Sequence, residues 1–283
     1  TSLITVNIAS CNDSVIVPIT IRNNGQGKLI YDFEGNGNDT LQILAITLGY
    51  GTPHYNNAKL AIQNNIGVPY KITEYSGTTA STLTTALQGK DVVWMAPAAA
   101  AAYWQYTNLS SAIQSFLNNG NGMIASGTGY YSNLLNTGVF TGLTGSWYGS
   151  GTLMNIDPLH ASNPIVQGIA SPFTNSYKAY YFTLSNPGVV DLAYYQSGNF
   201  KYPILSEFNY GSGRVIYSGF DHNFTNTTTD QLLANAFKTF HSPGLPAWLS
   251  ASPDSAQVDA NDSSVVNLTF NSSSLVNGTY IDT

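Results

Sequence analysis

The sequence predicts an α/β domain built on a parallel sheet, joined to an all-β sandwich assembled from the two ends of the chain. Three observations carry this. Strand-like and helix-like patterns alternate from residue 41 to residue 240; apolar residues recur at every second position in both terminal segments; and polar, Gly- or Pro-containing breaks at 32–39 and 241–246 separate the two textures. The implied boundaries are 1–38, 39–241 and 242–283.

In the first segment Ile4, Val6 and Ile8 form one period-two set and Val15, Val17, Ile19 and Ile21 a second. The turn-forming Cys11-Asn12-Asp13-Ser14 lies between them, so a hairpin with one apolar face is expected over 2–22. Asn23-Asn24-Gly25-Gln26-Gly27 breaks the pattern, and Leu29-Ile30-Tyr31 leads into the polar run from Asp32 to Asp39.

From residue 41 the order is a buried strand (41–48), a helix (54–65) started by Pro53 with Ala58, Leu60 and Ala61 apolar, and a strand (70–75). A helix (79–87), a strand (91–95), a helix (109–118) with Ile113, Phe116 and Leu117 on one face, and a strand (123–126) follow. Beyond a Gly- and Tyr-rich middle, 189–195, 202–208 and 214–219 read as strands and 229–240 as a closing helix. Such alternation predicts a parallel sheet covered on both faces. In the last segment Trp248-Leu249, the run 265–270 with Val266, Leu268 and Phe270, and Gly278-Thr279-Tyr280 read as strands, too few for a sandwich alone.

Composition narrows the function. Only 8% of residues are Asp, Glu, Lys or Arg while 43% are hydrophobic, against an average of about 25% charged. The surface is therefore polar but uncharged, which reads as a folded protein of an extracellular setting. A net charge of -6 with nine Lys and Arg cannot neutralise a phosphate backbone, so nucleic acid is excluded as a partner. No apolar run is long enough for a membrane-spanning helix. Cys11 is the single cysteine, which rules out an intrachain disulfide and a thiolate metal site. With Thr at position 1 and no leader pattern, the chain reads as a mature form or a segment of something longer.

Nine Asn-x-Ser/Thr sequons begin at Asn12, Asn38, Asn108, Asn223, Asn226, Asn261, Asn267, Asn271 and Asn277, making N-linked glycans the expected modification. Four of them fall between 261 and 277, alternating with apolar residues so that they point outward.

Gly120-Asn121-Gly122-Met123-Ile124-Ala125-Ser126-Gly127, Asn163-Pro164-Ile165-Val166-Gln167-Gly168-Ile169 and Gly211-Ser212-Gly213-Arg214-Val215-Ile216-Tyr217-Ser218-Gly219-Phe220 are three marks in a telling order. The run 41–240 that carries them resembles the class I glutamine amidotransferase-like superfamily, which implies a flavodoxin-like fold with a nucleophile on a sharp strand-to-helix turn. The family's elbow Cys is missing: the turn reads Ser126-Gly127-Thr128-Gly129-Tyr130, and the nearest late pair is Asp221-His222, set differently from the family's motif. The expectation is a degenerate elbow at Ser126 and Thr128, no catalysis and no cofactor; an exported hydrolase using Ser126 or Thr128 with His222 and Asp221 is the alternative.

The segment from Leu245-Pro246-Ala247-Trp248-Leu249 through Asn277-Gly278-Thr279-Tyr280 resembles Ig-like repeats of prokaryotic surface proteins. In those repeats the Gly-Thr-Tyr strand runs on into a hairpin, and the missing pieces match residues 2–22: Thr283 reads into Thr1 as one continuous strand. The resemblance implies that the termini are complementary halves of one fold, completed by a neighbouring copy, by tandem linkage, or within one chain. Ile4, Val6, Ile8, Val15, Val17, Ile19, Ile21, Val266, Leu268, Phe270 and Tyr280 would be the assembly positions.

Two other sites are candidates. Asp32, Glu34, Asn36 and Asp39 alternate oxygen ligands with flexible residues, as calcium loops do, without full EF-hand spacing. Tyr50, Tyr103, Trp104, Tyr106, Tyr130, Tyr131, Trp147 and Tyr148 sit on loops near strand C-termini, where α/β sheets bind ligands. The four His, at 54, 160, 222 and 241, share no metal-ligand spacing. The sequence thus reads as a glycosylated extracellular structural protein whose partner is itself, in a head-to-tail filament; a carbohydrate-binding module is the second reading.

Overall fold

The computed structural model describes residues 4–8, 13–32, 40–47, 53–97, 107–126, 137–149, 151–241 and 249–272, with Asp32 and residues 143–148 described by backbone alone. The chain divides into two compact units: Thr1–Thr40 with Ser242–Thr283, and Leu41–His241.

In the terminal unit, with strands numbered along the whole chain, β1 (Ser14–Arg22), β16 (Ser263–Asn271) and β14 (Leu249–Ser252) form one sheet in the order β1-β16-β14. The short strands β2 (Leu29–Asp32) and β15 (Ser255–Val258) form a second. β1 pairs antiparallel with β16 of the same chain in unbroken register from Ser14↔Asn271 to Arg22↔Ser263. Alternation holds along both strands: Val15, Val17, Ile19 and Ile21 face one side, as do Val266, Leu268 and Phe270, while Ile16 and Val265 face solvent.

Asn23 ties this unit together. It is buried, its Nδ2 donates to Gly27 O (2.6 Å) and Val258 O (2.9 Å), and its Oδ1 accepts from Gly25 N–H. Its own backbone N–H and C=O bond Asp262 and Asn261. The Asn-Gly stretch that reads as a break in sequence is therefore a polar staple between β1, β15 and the turn before β16.

The expected strand through Ile4, Val6 and Ile8 is not formed: residues 4–8 lie outside every strand, so the hairpin over 2–22 is replaced by the β1–β16 pairing. A two-stranded hairpin gains little by itself, whereas β16 offers β1 nine partners and an apolar face.

The larger unit holds, in chain order, β3 (Leu41–Ile46), α1 (Pro53–Asn65), β4 (Tyr70–Tyr75), α2 (Ala80–Ala86), β5 (Val92–Met95), α3 (Ser110–Asn118), β6 (Gly122–Ser126), β7 (Gly142–Tyr148) and β8 (Leu153–Ile156). β9 (Phe173–Thr174), β10 (Ala179–Leu184), β11 (Val190–Ser197), β12 (Phe200–Tyr210), β13 (Gly213–Ser218) and α4 (Thr227–Lys238) complete it. A nine-stranded sheet runs β4-β3-β5-β6-β13-β12-β11-β8-β9. Its first five strands are parallel; the rest are antiparallel, correcting the expectation of a parallel sheet throughout. The cause is loop length: β11 and β12 are joined by Gly198-Asn199, and β12 and β13 by Gly211-Ser212, too short for a crossover. Gly198 and Gly211 both take positive φ, as such tight turns require.

The parallel strands are covered on both faces. On one, Ile43, Trp94, Ile124 and Ile216 pack with Tyr55, Ala58 and Ile62 of α1 and Leu233 and Phe237 of α4. On the other, Leu44, Val93, Met123 and Val215 pack with Leu83 of α2 and Ile113, Phe116 and Leu117 of α3. Nearly all of these side chains are fully buried, which explains strands without polar alternation. The four β strands between residues 142 and 184 escaped the sequence reading because their residues carry no clean period.

Candidate functional site

The C-terminal ends of parallel strands are where open α/β sheets bind ligands. β6 ends there in Ser126, which is 2% exposed and whose Oγ accepts a hydrogen bond from Trp94 Nε1 (2.8 Å). Trp94 is itself held between the rings of Tyr55 and Phe237. Ser126 is therefore a buried hydroxyl serving the indole; Thr128 lies outside the described residues.

The pair read from sequence as Asp221 with His222 is split between two partners. Asp221, just after β13, is buried, and its Oδ1 accepts from His54 Nδ1 and from Asn223 N–H (3.0 Å). His54 sits in the first turn of α1, so this pair spans the ends of β5 and β6 in the sheet order. A carboxylate on Nδ1 keeps a proton on that nitrogen and leaves Nε2 for another partner; the His54 side chain is 33% exposed. His222 instead pairs through Nδ1 with Asp230 Oδ1 of α4 (3.2 Å), is 1% exposed, and has a buried Nε2 without a hydrogen-bond partner among the described residues.

Aromatic rings flank His54. Tyr177 meets it edge-on at 6.3 Å between centroids and meets Phe224 in the same way at 5.3 Å, and Phe224 is 55% exposed. Asn57 of α1 donates to Asn223 O (2.8 Å), tying the loop after β13 to the helix. Sequence reasoning missed this site because His54 and Asp221 are 167 positions apart. The available signal was topological: each follows a strand of the parallel set.

The motifs at 163–169 and 211–220 make structural contacts. Asn163 donates to Glu207 Oε1 (2.5 Å), whose other oxygen takes the Arg214 guanidinium (2.6 Å), and Asn163 Oδ1 accepts from Ile165 N–H. Gly219 lies against the carbonyl of Tyr180, where any Cβ would collide, and Tyr180 N–H bonds Gly219 O (2.7 Å). These residues hold the antiparallel extension and β10 against the parallel core.

A second polar cluster lies on that extension. Asp157 is buried, which by itself raises a carboxyl, but the Lys201 ammonium (2.9 Å) and Leu159 N–H outweigh this and hold it below the ordinary carboxylate range. Lys201 also sits over the Tyr194 ring at 4.3 Å. Asp191, desolvated and with Ser206 as its hydrogen-bond donor (2.7 Å), is pushed up.

Of the remaining predicted sites, Asn267 and Asn271 stand on β16 and are exposed, as are Asn261 and Asn108. Asn223 is half-buried, and Asn226 is spent as the N-cap of α4, accepting from Thr228 and Thr229 N–H and donating to Thr174 O. Asn12, Asn38, Asn277, Tyr280, Glu34, Asn36 and Asp39 lie outside the described residues, as do Tyr50, Tyr103, Trp104, Tyr106, Tyr130 and Tyr131; Asp32, Trp147 and Tyr148 are described by backbone alone. Among the described residues no group of three or more His, Cys, Asp or Glu converges as a metal site, and no helix is long and apolar enough to cross a membrane.

No family model and no curated protein matches the sequence. Solved structures do resemble it. A ThuA-like protein from Parabacteroides merdae has a TM-score of 0.50 at 13% identity, over 73% of this chain and 91% of that one. A protein described as a GMP synthase component from Thermoplasma acidophilum scores 0.47 at 11% identity, over 71% and 94%. A β-galactosidase from the haloarchaeon Halorubrum lacusprofundi scores 0.48 at 13% identity, over 81% of this chain and 39% of that one. At such identities the likeness is one of fold: a mixed α/β architecture with a large, partly parallel sheet, like that of the ThuA-like protein.

Proposed function

We propose that the chain is a structural subunit of a glycosylated extracellular filament or surface layer, joined head to tail through an Ig-like terminal β unit. In this reading the α/β unit is a retired amidotransferase-like scaffold without catalysis or cofactor. The observation that carries the proposal is the β1–β16 ladder: nine residue pairs link segments from opposite ends of the chain, across an intervening α/β unit with its own core. Exchange of β1 between copies keeps every one of those hydrogen bonds, so the pairing that closes one chain also joins two. The ladder also leaves Val15, Val17, Ile19 and Ile21 only half-buried, an apolar face that a neighbour's strand covers.

A cross-link tests it. Thr20 and Val265 are register partners with exposed side chains and belong to no sequon. Thr20→Cys with Val265→Cys in a Cys11→Ser background, oxidised in assembled material, gives a ladder of covalent multimers on a non-reducing denaturing gel. Cross-linked material running wholly as monomer means that β1 stays with its own chain, and the strand-exchange reading is lost.

A further inference from the structure

We infer that the His54–Asp221 corner is a binding site for the face of a sugar ring, with His54 Nε2 hydrogen-bonded to a ligand hydroxyl and Phe224 stacking on the ring. It does not depend on how the terminal unit assembles. Four observations converge. A buried carboxylate fixes the His54 ring through Nδ1 and leaves Nε2 for another partner, and the ring is one-third exposed. Asp221 takes both N–H donors on Oδ1, which holds the carboxylate against His54 and the loop after β13, and its charge there disfavours an anion. Phe224 exposes more than half its surface, braced edge-on by Tyr177. The His222 Nε2 in the same loop is buried and has no hydrogen-bond partner among the described residues, a cost that local strand and helix formation does not explain. A fixed imidazole nitrogen and an exposed aromatic face, linked through the Tyr177 ring, fit a neutral ligand with hydroxyls at its rim and C–H groups on its face, which describes a hexopyranose.

The sugar has two sources: a free or neighbouring glycan, or a glycan on Asn223, whose sequon includes Phe224 itself. Saturation-transfer NMR separates them. Unglycosylated recombinant full-length chain is titrated with methyl α-mannopyranoside, methyl β-glucopyranoside, methyl β-galactopyranoside and N-acetylglucosamine at millimolar concentrations. At least one gives transfer to its ring C–H protons, Phe224→Ala weakens it roughly tenfold, the scale of a lost aromatic face, and Phe200→Ala, at an exposed ring of the β11–β12 turn, leaves it unchanged. Phe224 is exposed, so its variant folds; His54→Gln then lowers affinity in the same direction. If native glycosylated protein binds free sugar only after deglycosylation, the occupant is the Asn223 glycan; if it binds beforehand, the site takes external glycans. No transfer from any of the four, or transfer undiminished in Phe224→Ala, overturns the assignment.

Discussion

The two units solve the same problem by opposite means. In Leu41–His241 the parallel strands bury Ile43, Leu44, Val92, Val93, Trp94, Met123 and Ile124 completely between two helical layers. In the terminal unit the inward side chains of β1 stay half-exposed, and a buried asparagine bonds β15 and the turn after β1. A large α/β layer structure closes its own core between helices and sheet, whereas the sheets described in the terminal unit have three and two strands. The difference is one of burial: side chains of the parallel strands are enclosed on both faces, whereas those of β1 stay partly accessible even on its apolar side.

The sharpest test of this contrast is truncation at each unit's centre, read by hydrogen exchange so that the units report separately. Trp94→Ala removes a fully buried ring that touches Tyr55 and Phe237 and orphans the Ser126 hydroxyl, and lowers the stability of the α/β unit by about 3–5 kcal/mol. Asn23→Ala leaves the carbonyls of Gly27 and Val258 without their donor and costs the terminal unit about 2 kcal/mol. An equal loss in both units from either change breaks the comparison.

Smaller effects refine it. Asn226→Ala removes the α4 cap and costs about 1 kcal/mol, whereas Asn223→Ala, whose side chain makes none of the described hydrogen bonds, changes stability by less than about 0.5 kcal/mol; urea titration of the two variants separates capping from sequon loss. Asp191 gives the least effect and a defined sign. Its carboxyl is raised by burial, so the folded state holds the proton longer than the unfolded state, and its contribution is lost as pH climbs from the ordinary aspartate value through the raised one. Asp191→Asn flattens that fall and leaves stability below the window unchanged, measured as the urea midpoint against pH.

Much of the α/β unit was legible because parallel strands buried on both faces leave continuous apolar runs, and α1, α2, α3 and α4 carry apolar faces near the expected bounds. The antiparallel turn of the sheet was written in Gly198-Asn199 and Gly211-Ser212, whose brevity forbids a crossover. Less visible was the site: Asp221 and His222 adjoin in sequence, yet their side chains go to His54 and Asp230, because a chain leaving a strand end sends successive side chains in different directions.

By itself, then, the sequence determined composition, the parallel core, the missing elbow thiol and the matching periodicity of the two chain ends, all of which are properties of local pattern. Only the tertiary structure decided that β1 closes on β16 while residues 4–8 stay outside every strand, and that His54 takes Asp221. Those are choices among distant partners, and they rest on which surfaces the fold brings within hydrogen-bonding reach, something no period or spacing along the chain encodes.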